Sequence, residues 1–316
     1  MKIINNPWYH VKPWSLTWLT LCFLLSLLTQ VSFAQKYNPG AGKTILLIGQ
    51  TFQDEYQNYT QGVGTKPAGS SHYGSIYLGS IEQGDDDPNA AFLDWVRSSQ
   101  ANPHALIALS IKDNTAAGNY GQMISPDWDQ FTPNAVHDAL VAINNGEWDA
   151  RIDQFGDTFA SRPDVKFFVR IGYEVSLLLF AYKGEQYVND WLNQQASQGI
   201  NVFENPDNVA SLDRQAYINA YNHIANRIRA KASNVAFVYH PVRGLNDTKW
   251  LYPGDANVDY VGFSIFNNDV CLEVNGTFNC EGQPVDPELQ ASMDFAKAHN
   301  KPIIIAEAAA QAPATG

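Results

Sequence analysis

Two apolar, β-branched runs in this chain each close on a glutamate: Val165-Lys166-Phe167-Phe168-Val169-Arg170-Ile171-Gly172-Tyr173-Glu174 and Pro302-Ile303-Ile304-Ile305-Ala306-Glu307. Runs of this kind read as parallel strands covered on both faces. A carboxylate at the end of such a strand is costly to desolvate unless it is paired or used. Barrels of alternating strands and helices place their working groups at the carboxyl ends of the strands. The two glutamates therefore predict a fold that gathers strand ends together, and one site with two acids.

Short β-branched runs alternate with helical patterns along the rest of the chain, the signature of an α/β fold with a parallel sheet. The predicted strands are Thr44–Gly49, Ser75–Gly79, Ala105–Ser110, Val165–Gly172, Val235–His240, Val258–Ile265 and Pro302–Ala306. Helices are predicted over Asn89–Ser99, Trp148–Ala160 and Asp213–Ala232. In the last, Ala216, Ile218, Tyr221, Ile224, Ala225, Ile228 and Ala232 recur at three- and four-residue spacing. Long polar loops follow the third, fourth and sixth strands, on the side where a barrel builds its groove. The fold class expected is a TIM-type (β/α)8 barrel truncated after the seventh strand, since Gln311-Ala312-Pro313-Ala314-Thr315-Gly316 is too short and broken for an eighth. Either the sequence is a fragment or the barrel is open, with unpaired edges on its first and seventh strands.

Alternation then predicts which side chains enter the barrel. Arg170 and Gly172 should point inward with Glu174, and Ile303 and Ile305 with Glu307. The corresponding sets are Ala236, Val238 and His240 on the fifth strand and Gly262, Ser264 and Phe266 on the sixth.

Residues 1–34 carry no acid and two lysines, with an apolar stretch from Leu16 to Leu28 and the small-residue ending Ser32-Phe33-Ala34. This pattern predicts a cleaved signal peptide and a secreted protein, extracellular or periplasmic. The stretch is shorter than the roughly 20 residues that span a bilayer, so no membrane association is expected after cleavage. Residues 35–316 then form one domain, expected to be a monomer. They hold 18 Lys+Arg against 32 Asp+Glu, a net charge of −14, which argues against nucleic acid or an anionic membrane as partner. A neutral polysaccharide is compatible with it.

Four segments together resemble glycoside hydrolase family 26, within a clan of retaining glycosidases whose acids end strands four and seven. They are Asn145-Gly146-Glu147-Trp148-Asp149; Phe168-Val169-Arg170-Ile171-Gly172-Tyr173-Glu174; Trp250-Leu251-Tyr252-Pro253-Gly254-Asp255 with Val258-Asp259-Tyr260-Val261-Gly262; and Pro302–Glu307. The resemblance runs from roughly Gly40 to Ala310. It implies that Glu174 is the acid/base and Glu307 the nucleophile of a β-glycanase acting on mannan, β-1,3-xylan or β-glucan. Many members carry histidine before the acid/base, where this chain has Tyr173. Phe266 stands near where many place a tyrosine that hydrogen-bonds the nucleophile.

Retaining cleavage needs one carboxyl that protonates the leaving oxygen and a second, about 5–5.5 Å away, that attacks the anomeric carbon. Glu174 should therefore sit where burial or a neighbouring negative charge raises its pKa. Glu307 calls for hydrogen-bond donors, with His240 and Asn267 as candidates. Tyr173 and Phe266 are candidate sugar-stacking groups, as are Tyr182 and Trp191. Arg170 reads as a buried framework residue, and an ion pair between it and a glutamate is the structural alternative. A non-catalytic carbohydrate-binding protein on the same barrel is the rival function. No cofactor and no metal site are expected, and the acidic stretch Gly84–Pro88 reads as a solvated turn.

With Cys22 inside the signal, Cys271 and Cys280 remain as a pair in an exported chain, and a disulfide between them is predicted. Thiol titration of the secreted, unreduced protein should find almost no free thiol; two per chain would refute the bridge.

Overall fold

The computed structural model describes residues 36–40, 42–49, 53–76, 80–82, 91–99, 103–111, 135–174, 193–194, 197–199, 214–241, 249, 251–266, 272–274, 277–279 and 287–309. Contacts divide the chain into Met1–Asn38 and Pro39–Gly316, and every element below belongs to the second unit. No helix among the described residues is long and apolar enough to cross a membrane. The predicted signal segment, the Gly84–Pro88 turn and both cysteines of the predicted bridge lie outside the described residues.

Seven strands form one parallel sheet in chain order: β1 (Leu47–Gly49), β2 (Gly69–Ser75), β4 (His104–Ser110), β5 (Lys166–Ile171), β6 (Val235–Tyr239), β7 (Tyr260–Phe266) and β10 (Ile303–Ala309). An eighth, β3 (Ser80–Glu82), runs antiparallel on β2, while β8 (Leu272–Val274) and β9 (Thr277–Asn279) make a separate hairpin. The parallel strands form a nearly closed barrel, and among the described residues no pairing joins β1 to β10. This is the TIM-type barrel through its seventh strand, as the alternating pattern predicts.

The helices are α1 (Gln53–Val63), α2 (Ala91–Ser99), α3 (Ala135–Asn144), α4 (Asp149–Ala160), α5 (Arg214–Lys231) and α6 (Pro287–Ala298). Three of them, α2, α4 and α5, fall within two residues of their predicted bounds. Paired residues in a parallel sheet share a face, so register sorts the core into two sets. Ile107, Leu109, Phe167, Val169, Val235 and Phe237 point outward into a fully buried layer with Phe155 and Phe159 of α4 and Tyr221, Ile224 and Ile228 of α5. Inside the barrel, Tyr73, Ala108, Arg170 and Val238 lie in one row by register, above Ser71, Leu106, Phe168 and Ala236.

A ladder of charges ties α4 to α5. Arg227 forks onto Asp153 at 2.7 and 2.9 Å and also reaches Asp149 at 2.6 Å, and Lys231 meets Asp157 at 2.8 Å. Below it, the Asn234 amide donates to the carbonyls of Phe159, Arg162 and Val165. The end of α4 and the starts of β5 and β6 are thereby pinned to one side chain.

The second strand departs from expectation: it is Gly69–Ser75, sharing only Ser75 with the predicted Ser75–Gly79. Its sequence, Gly-Ser-Ser-His-Tyr-Gly-Ser, has no apolar alternation, yet almost all of it is buried. Small side chains let it sit between β1 and β4, and its polar atoms find partners locally, as where Ser70 Oγ lies 3.0 Å from His72 Nε2. Burial pushes the His72 ring down to about 3, so it stays neutral in that layer.

The tightest position in the strand is Gly69, where an added Cβ would stand 1.6 Å from the His104 carbonyl oxygen. Gly69→Ala should therefore destabilise by about 3 kcal/mol or more through forced separation of β2 from β4. Urea unfolding of the variant measures this, and an unchanged midpoint would contradict the placement of β2.

Candidate active site

Strand alternation alone does not carry either glutamate to the barrel mouth. In the fourth parallel strand, β5, the extended backbone stops at Ile171 and the chain turns left-handed at Gly172, φ 61°. A Cβ there would meet Tyr217 and Ile111 of the outer layer at 3.2 and 3.3 Å. Gly172 thus does not share the inward face predicted for it, and glycine suits the position because positive φ carries no penalty without a side chain. Tyr217 Oη donates to the Ile171 carbonyl at 3.1 Å and holds the strand end. Two residues on, Glu174 itself adopts φ 51°. This conformation is uncommon outside glycine, asparagine and aspartate and is found where surrounding structure enforces it.

The seventh parallel strand, β10, uses a bulge instead. Its register with β7 runs Ile304↔Gly262 and Ile305↔Phe263, then jumps to Glu307↔Ser264. The extra residue, Ala306, moves Glu307 onto the inward face of Ser264. Ile303 and Ile305, predicted to point inward with Glu307, instead face outward and are 40% and 55% exposed. A one-residue bulge reverses faces in this way because the side-chain period of a strand is two.

Between the glutamates lies Arg170, fully buried inside the barrel. Its Nη1 donates to Glu307 Oε1 at 2.6 Å and stands 3.3 Å from His240 Nδ1. The Tyr173 and Tyr73 rings flank the guanidinium, with centroids 5.3 and 6.0 Å away, and pack edge to face on each other at 5.3 Å. His240, also fully buried, has its Nε2 3.1 Å from Ser264 Oγ. Ser264 Oγ in turn donates to Glu174 Oε1 at 2.7 Å. The result is a continuous path, Glu307–Arg170–His240–Ser264–Glu174, across the mouth.

The two carboxyls sit in opposite environments. Burial raises the Glu174 pKa above the ordinary glutamate range; the Ser264 hydrogen bond opposes that rise, the Glu307 charge adds to it and Arg170 opposes it. Glu307 is the ion-pair partner of the buried Arg170 guanidinium. Burial, with the Arg170 charge beside it, pushes the His240 ring well below the ordinary histidine range. Burial likewise holds the Tyr173 hydroxyl well above its usual value.

Of the predicted site residues, Glu174, Glu307, Tyr173 and His240 come together. Phe266 ends β7 opposite Ala309, while Asn267, Tyr182 and Trp191 lie outside the described residues. Among the described residues the donor to Glu307 is Arg170 rather than His240, which contacts Arg170 and Ser264. Ser264 was legible as an inward residue but carried no role. Tyr73 carries no signal in the sequence, since the predicted second strand, Ser75–Gly79, begins after it. Among the described residues no cluster of three or more His, Cys, Asp or Glu side chains could hold a metal.

No family model matches the chain, and no curated protein sequence matches it. Solved structures do. A GH26 β-mannanase from Bacteroides ovatus superposes with a TM-score of 0.51 at 15% identity, over 84% of this chain and 70% of that one. The catalytic domain of a GH26 endo-β-1,4-mannanase from Bacillus sp. JAMB-750 gives a TM-score of 0.51 at 14% identity, over 84% and 67%. At such identities the likeness establishes the shared fold.

A raised Glu174 pKa has a sign for stability. The folded state binds this proton more tightly than the unfolded chain, so stability contributed at low pH is lost as pH rises from the ordinary glutamate range through the folded value. Glu174→Gln should therefore melt higher than the parent protein at neutral pH, with the gap closing below the ordinary glutamate range. Thermal melts across pH measure it, and a variant that melts lower at neutral pH would contradict the environment described.

Proposed function

We propose that this protein is a secreted, retaining endo-β-glycosidase of plant or algal polysaccharide, with Glu174 as acid/base and Glu307 as nucleophile. The observation that carries the reading is the asymmetry of the two carboxyls at one barrel mouth. One is half-buried with its proton affinity raised, and the other is bonded to a buried arginine. Proton donor and nucleophile require that division of roles.

In the first step Glu307 attacks the anomeric carbon as Glu174 gives its proton to the glycosidic oxygen, which leaves with the bonding electron pair. In the second, Glu174 takes a proton from water as the water oxygen displaces Glu307 from the sugar. Arg170 positions Glu307 through its 2.6 Å bond. Tyr173, on the loop that carries the acid, lines the same mouth. The carboxyls are expected to stand about 5–5.5 Å apart when sugar is bound.

The barrel shared with the Bacteroides and Bacillus mannanases makes β-mannan the first substrate to try, with β-1,3-xylan and mixed-linkage β-glucan beside it. The signal-like residues 1–34 and the acidic charge balance support export and a neutral polymeric substrate. A Cys271–Cys280 bridge would brace the β8–β9 hairpin.

Assayed on those three polymers, the protein should cleave at least one internally with retained anomeric configuration. Glu174→Ala should lose about 10²–10⁴-fold on polysaccharide but much less on aryl glycosides with good leaving groups, which need little acid assistance. Glu307→Ala should lose both activities, because no glycosyl-enzyme can form. Binding of these glycans without cleavage of any would replace the enzyme by a carbohydrate-binding protein.

A further inference from the structure

Resting on the reading of Glu174 as the acid, we propose that Ser264 is a positioning residue that fixes the acid's proton on Oε2, its own hydroxyl being oriented by His240 and Arg170. A guanidinium only donates, so the His240 Nδ1 that faces Arg170 Nη1 at 3.3 Å accepts. His240 is then neutral with its proton on Nε2, and that N–H points at Ser264 Oγ, 3.1 Å away. The Ser264 hydrogen cannot point back at an N–H. It goes to Glu174 Oε1 at 2.7 Å.

With Oε1 already accepting, a protonated Glu174 carries its hydrogen on Oε2. The reverse arrangement, Oε1 donating to the serine, would strand the serine hydrogen, since among the described residues its hydrogen-bond partners are His240 and Glu174. Oε2 is thus kept out of the internal path and holds the transferable proton. Once that proton has gone to the leaving oxygen, the Ser264 hydroxyl stabilises the carboxylate that must next take a proton from water.

The groups that bear on Glu174 are Ser264 of β7, Glu307 of β10, Arg170 of β5 and, through the serine, His240 after β6; Tyr173 adjoins it in sequence. Of these, Ser264 alone donates a hydrogen bond to Glu174 among the described residues. Its removal therefore isolates the effect. Ser264 is buried and Ser264→Ala adds no atom, so the barrel should accept it.

The test follows the Glu174 carboxyl by ¹³C NMR in glutamate-labelled protein, with Glu174→Gln identifying its signal, alongside pH–rate profiles. In Ser264→Ala the Glu174 midpoint should move upward, and the alkaline limb of kcat/KM should move with it. Turnover of polysaccharide should fall roughly tenfold, against less than about twofold for an aryl glycoside with a good leaving group. An unmoved midpoint, or equal losses on both substrates, would overturn the proposal and leave Ser264 a packing residue. The NMR shift is read without substrate. A midpoint that moves in a protein cleaving no glycan would keep the serine's bond to Glu174 and sink the glycosidase reading. A glycosidase whose midpoint stays put would do the opposite.

Discussion

A guanidinium buried inside a barrel must be paired, because an uncompensated charge there costs several kcal/mol. Arg170 is that charge, and much of the site's arrangement follows from satisfying it. Glu307 has to reach it, which the bulge at Ala306 permits. His240 has to accept from it, which determines the histidine tautomer and leaves Nε2–H for Ser264. The Tyr73 and Tyr173 rings stand beside it as cation–π partners, their centroids 6.0 and 5.3 Å away. The same cation that neutralises Glu307 thus sets, two groups away, which way the Ser264 hydroxyl points at Glu174.

Regular strands would have defeated this arrangement. Continued without its bulge, β10 would carry Glu307 outward with Ile303 and Ile305. Without the left-handed turn at Gly172, β5 would run on past the mouth. Each break sits where the sheet hands over to the site, and each is confined to one or two residues. The barrel below remains in register while its rim is free to aim side chains.

Alternation of strands and helices, the fold class and the gathering of Glu174, Glu307, Tyr173 and His240 were all legible in the sequence, because apolar period and strand-end carboxylates are direct consequences of burial. What was not legible had a common cause. Period-two reasoning assumes an unbroken strand, so it turned Ile303, Ile305 and Gly172 to the wrong side. Apolar-run reasoning assumes that buried strands are hydrophobic, so it passes over Gly69–Ser75, a buried strand of mostly small and polar residues in which Ser70 and His72 bond each other. The sequence reads Arg170 as framework or as an ion pair. It is both, and the pairing makes it the centre of the site.

The remaining requirement is precision, since a carboxyl displaced by even 1 Å loses much of its effectiveness. Arg170 and His240 stand at the tops of adjacent strands, and the bonds that fix those strands lie at the opposite end and on the outer face. Asn234 ties the starts of β5 and β6 to the end of α4. Asp259 accepts from the Phe237 backbone N–H and from Arg229, locking β6, the start of β7 and α5 together. The α4–α5 ion pairs are partly exposed and contribute only modestly one by one. As a ladder behind β5 and β6, they resist the relative sliding of the strands that would open the Arg170–His240 contact. The 3.3 Å contact between those two groups thus spans two strands whose fixing bonds lie outside the site itself, which leaves the rim free to vary.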